Sequence, residues 1–151
     1  MLRQAFTDRL KGAMKARDAR TLSTVRLILA GLKERDVAAR GEGNNEGIAE
    51  SEIARMLQAM VKQRRESIAL FEQGNRVDLA QQERDEITVI ESFLPRQMDE
   101  GEIEAAARAA IAATGAAGLK DMGKVMSLLR ERHAGTIDLG RAGAAVKRQL
   151  S

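Results

Sequence analysis

An all-α fold is what this sequence predicts, and three observations carry that expectation. The 151 residues include no tryptophan, no tyrosine and three phenylalanines, so the 44% hydrophobic share is almost wholly Leu, Ile, Val, Met and Ala. That palette suits packed helices better than a sheet. Apolar residues recur at three- and four-residue spacing through nearly every segment, and Gly- or Asn-containing breaks separate them. The single proline, Pro95, closes a long helical pattern, because a proline disfavours the α conformation in the residue before it. Cutting there predicts an N-terminal antiparallel helical hairpin domain of about four helices over 1–94, a short hinge over 95–98 and a small three-helix tail domain over 99–151.

The first helix is expected over about 2–16, where Leu2, Phe6, Leu10, Ala13 and Met14 share a stripe and Arg3, Lys11 and Lys15 lie off it. Asp18 reads as a break and Thr21 as the cap of a second helix running toward Arg40 on Leu22, Val25, Ile28, Leu29 and Leu32. Gly31 inside it lowers helix propensity by about 1 kcal/mol against alanine, which points to a close helix contact. The stretch 41–47 consists entirely of Gly, Asn and Glu and reads as a mobile loop. A third helix follows from about Ala49 to Gln73 on Ile53, Met56, Leu57, Met60, Val61, Ile68 and Phe71. The Gly74-Asn75 turn then makes a fourth helix, about 76–93, its antiparallel neighbour.

In the tail, Asp99 and Glu102 have the spacing of a capping box. They open an alanine helix ended by Thr114-Gly115. A second tail helix begins after Asp121 on Met122, Val125, Met126 and Leu129, and Asp138 caps a third with Leu139, Ala142, Val146 and Leu150 inward.

The absence of cysteine excludes disulfides, thiolate metal sites and a cysteine nucleophile, and permits a reducing compartment. His133 is the sole histidine, so no His pair can hold a metal. No apolar run approaches membrane-spanning length, and the charged start does not read as a signal peptide; the expected location is cytoplasmic, with no membrane partner. Gly118 to Lys124 spells G-x-x-x-x-G-K, but Val125 stands where a phosphate-binding P-loop needs Ser or Thr, and a helix rather than a strand precedes it. No serine sits in a nucleophile elbow. Neither catalytic residues nor a cofactor are therefore assigned.

Charge is more informative. Residues 1–40 hold ten Lys/Arg against four Asp/Glu, 41–94 hold six against eleven, and 95–151 hold nine against seven. A basic end beside an acidic middle fits complementary helix faces or a polyanion-binding surface. Arg64 and Arg65 are better explained as ion pairs to the acidic fourth helix, although with Lys11 and Lys15 they could form a basic patch. In the tail, Lys120, Lys124, Arg141, Lys147 and Arg148 remain after the apolar stripes are assigned, and form a candidate phosphate-contacting set. The lack of stacking aromatics favours backbone and shape recognition of RNA over reading of unpaired bases. The alternative is a protein-interaction module that docks through the alanine-rich tail.

Five segments in order, Lys11-Gly12-Ala13-Met14-Lys15-Ala16-Arg17-Asp18, Val25-Arg26-Leu27, Lys62-Gln63-Arg64-Arg65-Glu66-Ser67, Phe93-Leu94-Pro95 and Asp121-Met122-Gly123-Lys124-Val125-Met126, resemble the GatB/YqeY family over essentially the whole chain. The tail is similar to the C-terminal domain of the B subunit of the tRNA-dependent amidotransferase. The resemblance implies a tRNA or structured-RNA ligand and partners among amidotransferase or aminoacyl-tRNA synthetase components. It also implies the family label of carbon–nitrogen ligase with glutamine as amido donor, although the catalytic body of that enzyme has no counterpart here.

Overall fold

The computed structural model describes residues 1–151, and the protein is all-helical. Seven α-helices follow one another: α1 (Leu2–Ala16), α2 (Ala19–Gly41), α3 (Glu50–Gln73), α4 (Val77–Glu91), α5 (Glu100–Thr114), α6 (Met122–Arg132) and α7 (Leu139–Leu150), with a 3₁₀ turn at Leu119–Asp121. The chain divides into two compact units, Met1–Leu94 and Pro95–Ser151.

In the first unit, α1 pairs with α2 and α3 with α4, and α2 also packs on α4. Phe6, Val25, Ile28, Ile53, Met56, Leu57 and Ile90 are fully buried in its core. Phe6 meets Phe93 edge to face, with ring centroids 4.8 Å apart. Met14, expected on the inward stripe, is instead 55% exposed. It lies one residue, or about 100°, round from the buried Ala13, outside the narrow arc that α1 turns inward. The start of α2 also differs from the expectation. The cap is Asp18, whose Oδ1 accepts from the Thr21 backbone N–H at 3.1 Å, so the helix begins at Ala19 and Thr21 lies inside its first turn. An aspartate reaches back to a free N–H as well as a threonine does, and Arg17 in the left-handed conformation (φ 54°) has already turned the chain. At the α3–α4 turn the left-handed residue is Asn75 (φ 57°), while Gly74 has ordinary torsions. A Cβ on Gly31 would sit 3.6 Å from Met56 Sδ, so this glycine does mark an α2–α3 contact, at ordinary van der Waals distance.

The 41–47 stretch, expected to be mobile, is tied down together with Ile48 by specific bonds. Asn44 receives the Glu46 N–H and donates to the Gly47 carbonyl, and the Ile48 N–H donates to Asp36 Oδ1 at 2.9 Å.

The second unit is built on Ile103, Ala107, Ala110, Val125, Leu129, Ile137, Ala142, Ala145 and Val146. Alanines at the contacts let α5 approach α6 and α7 closely. The capping box of α5 forms as its spacing foretold, with Asp99 Oδ1 accepting from the Glu102 N–H and Glu102 Oε1 from the Asp99 N–H. Asp138 caps α7 through the Gly140 and Arg141 N–H groups. Asp121 does not cap α6; its carboxylate accepts from the Ala117 N–H and shapes the turn before the helix. The Pro95–Met98 segment, expected as a hinge, is bonded into the tail: the Met98 N–H donates to the Thr136 carbonyl at 2.9 Å and Gln97 Nε2 to the Gly135 carbonyl at 2.8 Å.

Candidate functional site

The five tail cations singled out by sequence fall into two groups. On α7, Arg141 forms an ion pair with Glu100, and Arg148 pairs with Glu104 while Glu100 Oε1 lies 3.8 Å away. Gln149 adds a hydrogen bond to Glu104 Oε2 at 2.9 Å. The Arg148 guanidinium and then Gln149 hold the Glu104 carboxyl below its usual range. These bonds tie α7 to the first turns of α5, so Arg141 and Arg148 are engaged within the unit. Arg96 likewise grips Glu102 with two bonds of 2.8 and 2.7 Å, and this guanidinium holds the Glu102 carboxyl down to about 2.

Lys120, Lys124 and Lys147 behave differently. All three are exposed and none has an ion-pair partner. Arg108, Arg130 and Arg132 are also exposed and unpaired, and sequence reasoning passed over them. Meanwhile Asp99, Asp121 and Asp138 accept backbone N–H groups, and Glu100, Glu102 and Glu104 are held by arginines.

In the first unit, Arg64 and Arg65 turn to α4. Arg64 Nε donates to Glu86 Oε2 at 2.9 Å and lies 3.9 Å from Glu83, while Arg65 reaches Glu91 at 3.1 Å. Arg64 and Glu86 expose only 12% and 10% of their side chains. Arg20 lies 3.9 Å from the same Glu86, so the cluster joins α2, α3 and α4. Burial, and then the neighbouring Glu86 charge, push the Glu83 carboxyl up, against the pull of Arg64. Two arginines and two carboxylates balance here, a composition that clamps helices. Lys11 and Lys15, by contrast, stay exposed on α1.

No buried side-chain nitrogen or oxygen lacks a hydrogen-bond partner, and no three carboxylate or imidazole groups converge. An open groove of about 540 Å³ runs beside α1, lined by Leu2, Ala5, Gly12 and Phe93 with Asp8, Arg9 and Ser92. Its polar members are committed, since Arg9 stacks 4.7 Å above the Phe93 ring and donates to Ser92 Oγ. His133 ends α6, its carbonyl accepting from Thr136 and Ile137. No helix is long and apolar enough to cross a membrane. The unpaired lysines and arginines of the tail are thus left as exposed charged surface.

The family described as YqeY-like protein matches residues 3–150 of this chain. Among curated proteins, the Altered inheritance of mitochondria protein 41, mitochondrial, of Lachancea thermotolerans is 33% identical over 85 residues, which are 56% of this chain and 43% of that protein. The protein of the same name from Kluyveromyces lactis is 29% identical over 89 residues, 59% of this chain and 46% of that one. The chain thus spans less than half the length of these relatives. A match over nearly every residue, across both units and all seven helices, places the chain in the YqeY-like family.

Proposed function

We propose that this chain binds tRNA or another structured RNA through phosphate contacts on its tail unit, as an accessory to amidation or to aminoacyl-tRNA metabolism. The observation that carries the reading is the exposure of Lys120, Lys124 and Lys147 without ion-pair partners, while Glu100, Glu102 and Glu104 are taken up by Arg141, Arg148 and Arg96. Free lysines release counterions when they meet phosphate; paired arginines must first give up a carboxylate. The choice of tRNA, the link to glutamine-dependent carbon–nitrogen ligation and the partners proposed, amidotransferase or synthetase components, rest on the tail's resemblance to the amidotransferase B subunit. In this reading the chemistry belongs to those partners. The proposed compartment is the cytoplasm; the two relatives are named as mitochondrial proteins, so cell fractionation is the deciding measurement.

The test is the triple change Lys120→Glu, Lys124→Glu, Lys147→Glu, with tRNA affinity measured at several salt concentrations. Helicity should be unchanged, affinity should drop about tenfold or more, and the salt dependence should flatten by roughly one unit per lost phosphate contact. Unchanged affinity would instead favour docking of a protein on the alanine helix, where Ala105, Ala109 and Ala112 line an exposed face of α5.

A further inference from the structure

We infer that the α1–α2 hairpin carries a second phosphate-backbone-binding face, formed by Arg26, Lys33 and Arg40 of α2 with Lys11 and Lys15 of α1. The inference rests on the RNA reading above, and extends it to residues outside the tail.

The seam between the two helices is marked by Arg3 and Asp36, joined by bonds of 2.7 and 2.9 Å. On α1, the buried Phe6 lies on one side of Arg3, and Lys11 falls on the other side, roughly 80° beyond it at 100° per residue. On α2, the buried Leu32 lies on the core side of Asp36, while Arg40, Lys33 and Arg26 follow on the outer side at roughly 40°, 60° and 80°. Lys11 and the α2 set therefore project to the same outer face of the hairpin, with Lys15 about 40° further round α1. The tight turn at Arg17–Asp18 brings Lys11 and Arg26 to similar heights along it.

All five side chains are exposed, and none has an ion-pair partner. The α2 members recur every seven residues, which spaces them about 10.5 Å apart in a nearly straight row. The acidic residues of the hairpin form no ion pair with this row. Asp36 is held by Arg3, with Arg40 one turn further on, Asp18 caps α2, Asp8 accepts from Gln4 and lies roughly 20° round from Lys15, and Glu34 lies roughly 100° round from Lys33. A row of long, flexible cations on a rigid helix suits an extended polyanion such as the backbone of folded RNA. An anionic membrane suits it less, because the face carries no aromatic residue to enter the headgroup layer.

The experiment uses the full chain, with unfractionated tRNA and phosphatidylserine vesicles as probes. The parent is compared with the triple Arg26→Glu, Lys33→Glu, Arg40→Glu and with the tail triple Lys120→Glu, Lys124→Glu, Lys147→Glu. A neutral triple, Arg26→Gln, Lys33→Gln, Arg40→Gln, serves in case charge reversal disturbs folding, which circular dichroism reports. The hairpin triple should bind tRNA about tenfold or more weakly, with a salt dependence flatter by roughly two to three units, and the neutral triple should show a smaller loss in the same direction. Parent-like affinity and salt dependence in the hairpin variants would overturn the second face while leaving the tail reading intact. A parent protein that binds no tRNA would overturn both. Vesicle binding that the hairpin triple abolishes, with tRNA binding unaltered, would reassign the face to a membrane and overturn the inference.

Discussion

Gly47 shows how one residue secures a long connection. It adopts φ +90°, and a Cβ there would lie 2.7 Å from Arg3 Nη2 and 2.8 Å from Asp36 Oδ1. Only a glycine lets the chain cross so close to that pair, after which the Ile48 N–H donates to Asp36 and its carbonyl accepts from Arg3 Nη2 at 3.0 Å. Gly47→Ala should therefore destabilise the first unit by about 2 kcal/mol, from strained torsions together with displacement of the ion pair. An alanine variant that unfolds in urea at the parent midpoint would refute this. Asp36 sets an acid limit. The Arg3 guanidinium, and then the Ile48 N–H, hold its carboxyl down to about 2 against some desolvation. A carboxylate depressed on folding contributes stability that is full above its unfolded value of about 3.9 and is lost as pH falls through the folded value. Between pH 4 and pH 2 the parent should lose stability more steeply than Asp36→Asn, whereas the two pH profiles should run parallel from pH 5 to 7.

Between elements, the Arg64–Glu86 bond is the polar clamp of α3 on α4. Both groups are largely buried, so removing one partner strands the other, at a cost of about 3 kcal/mol. Glu86→Ala should thus unfold far more readily than the double change Arg64→Met, Glu86→Leu, which removes both charges and keeps the volume. If the double variant is the weaker of the two, the clamp contributes more than its desolvation costs. Glu83, on the same helix, acts in the opposite direction. Its carboxyl is pushed up by burial, so its ionised form costs stability, an effect absent below the unfolded value and complete above the folded one. Glu83→Gln should therefore match or exceed the parent's thermal stability at pH 7, with the difference vanishing near pH 3; a clear loss at pH 7 would mean that its 3.9 Å approach to Arg64 outweighs burial.

At the level of the whole molecule, the tail unit begins at Pro95, and its first residues are part of its fold. A fragment starting at Pro95 should be more stable than one starting at Asp99, by about 2 kcal/mol, because the shorter one loses the Gln97–Gly135 and Met98–Thr136 hydrogen bonds. Equal melting temperatures would show that these bonds only decorate the link. Much of this architecture was legible in the residues. Periodic Leu, Ile, Val and Ala gave seven helices, Asp99 with Glu102 and Asp138 announced two of the caps, and the acidic fourth helix foretold partners for Arg64 and Arg65. These signals are local, or depend only on which face of a helix is apolar, so the chain itself determines them. The standing of each cation was not legible. Arg141 and Lys124 look alike in sequence, yet Arg141 is neutralised by Glu100 across 41 positions of chain and Lys124 is not. Likewise Asp18 rather than Thr21 caps α2. The sequence by itself determined where helices form and which side of each is buried. Tertiary structure alone decided which charges meet, because an ion pair depends on distances of a few ångströms between helices and leaves no periodic trace along either one.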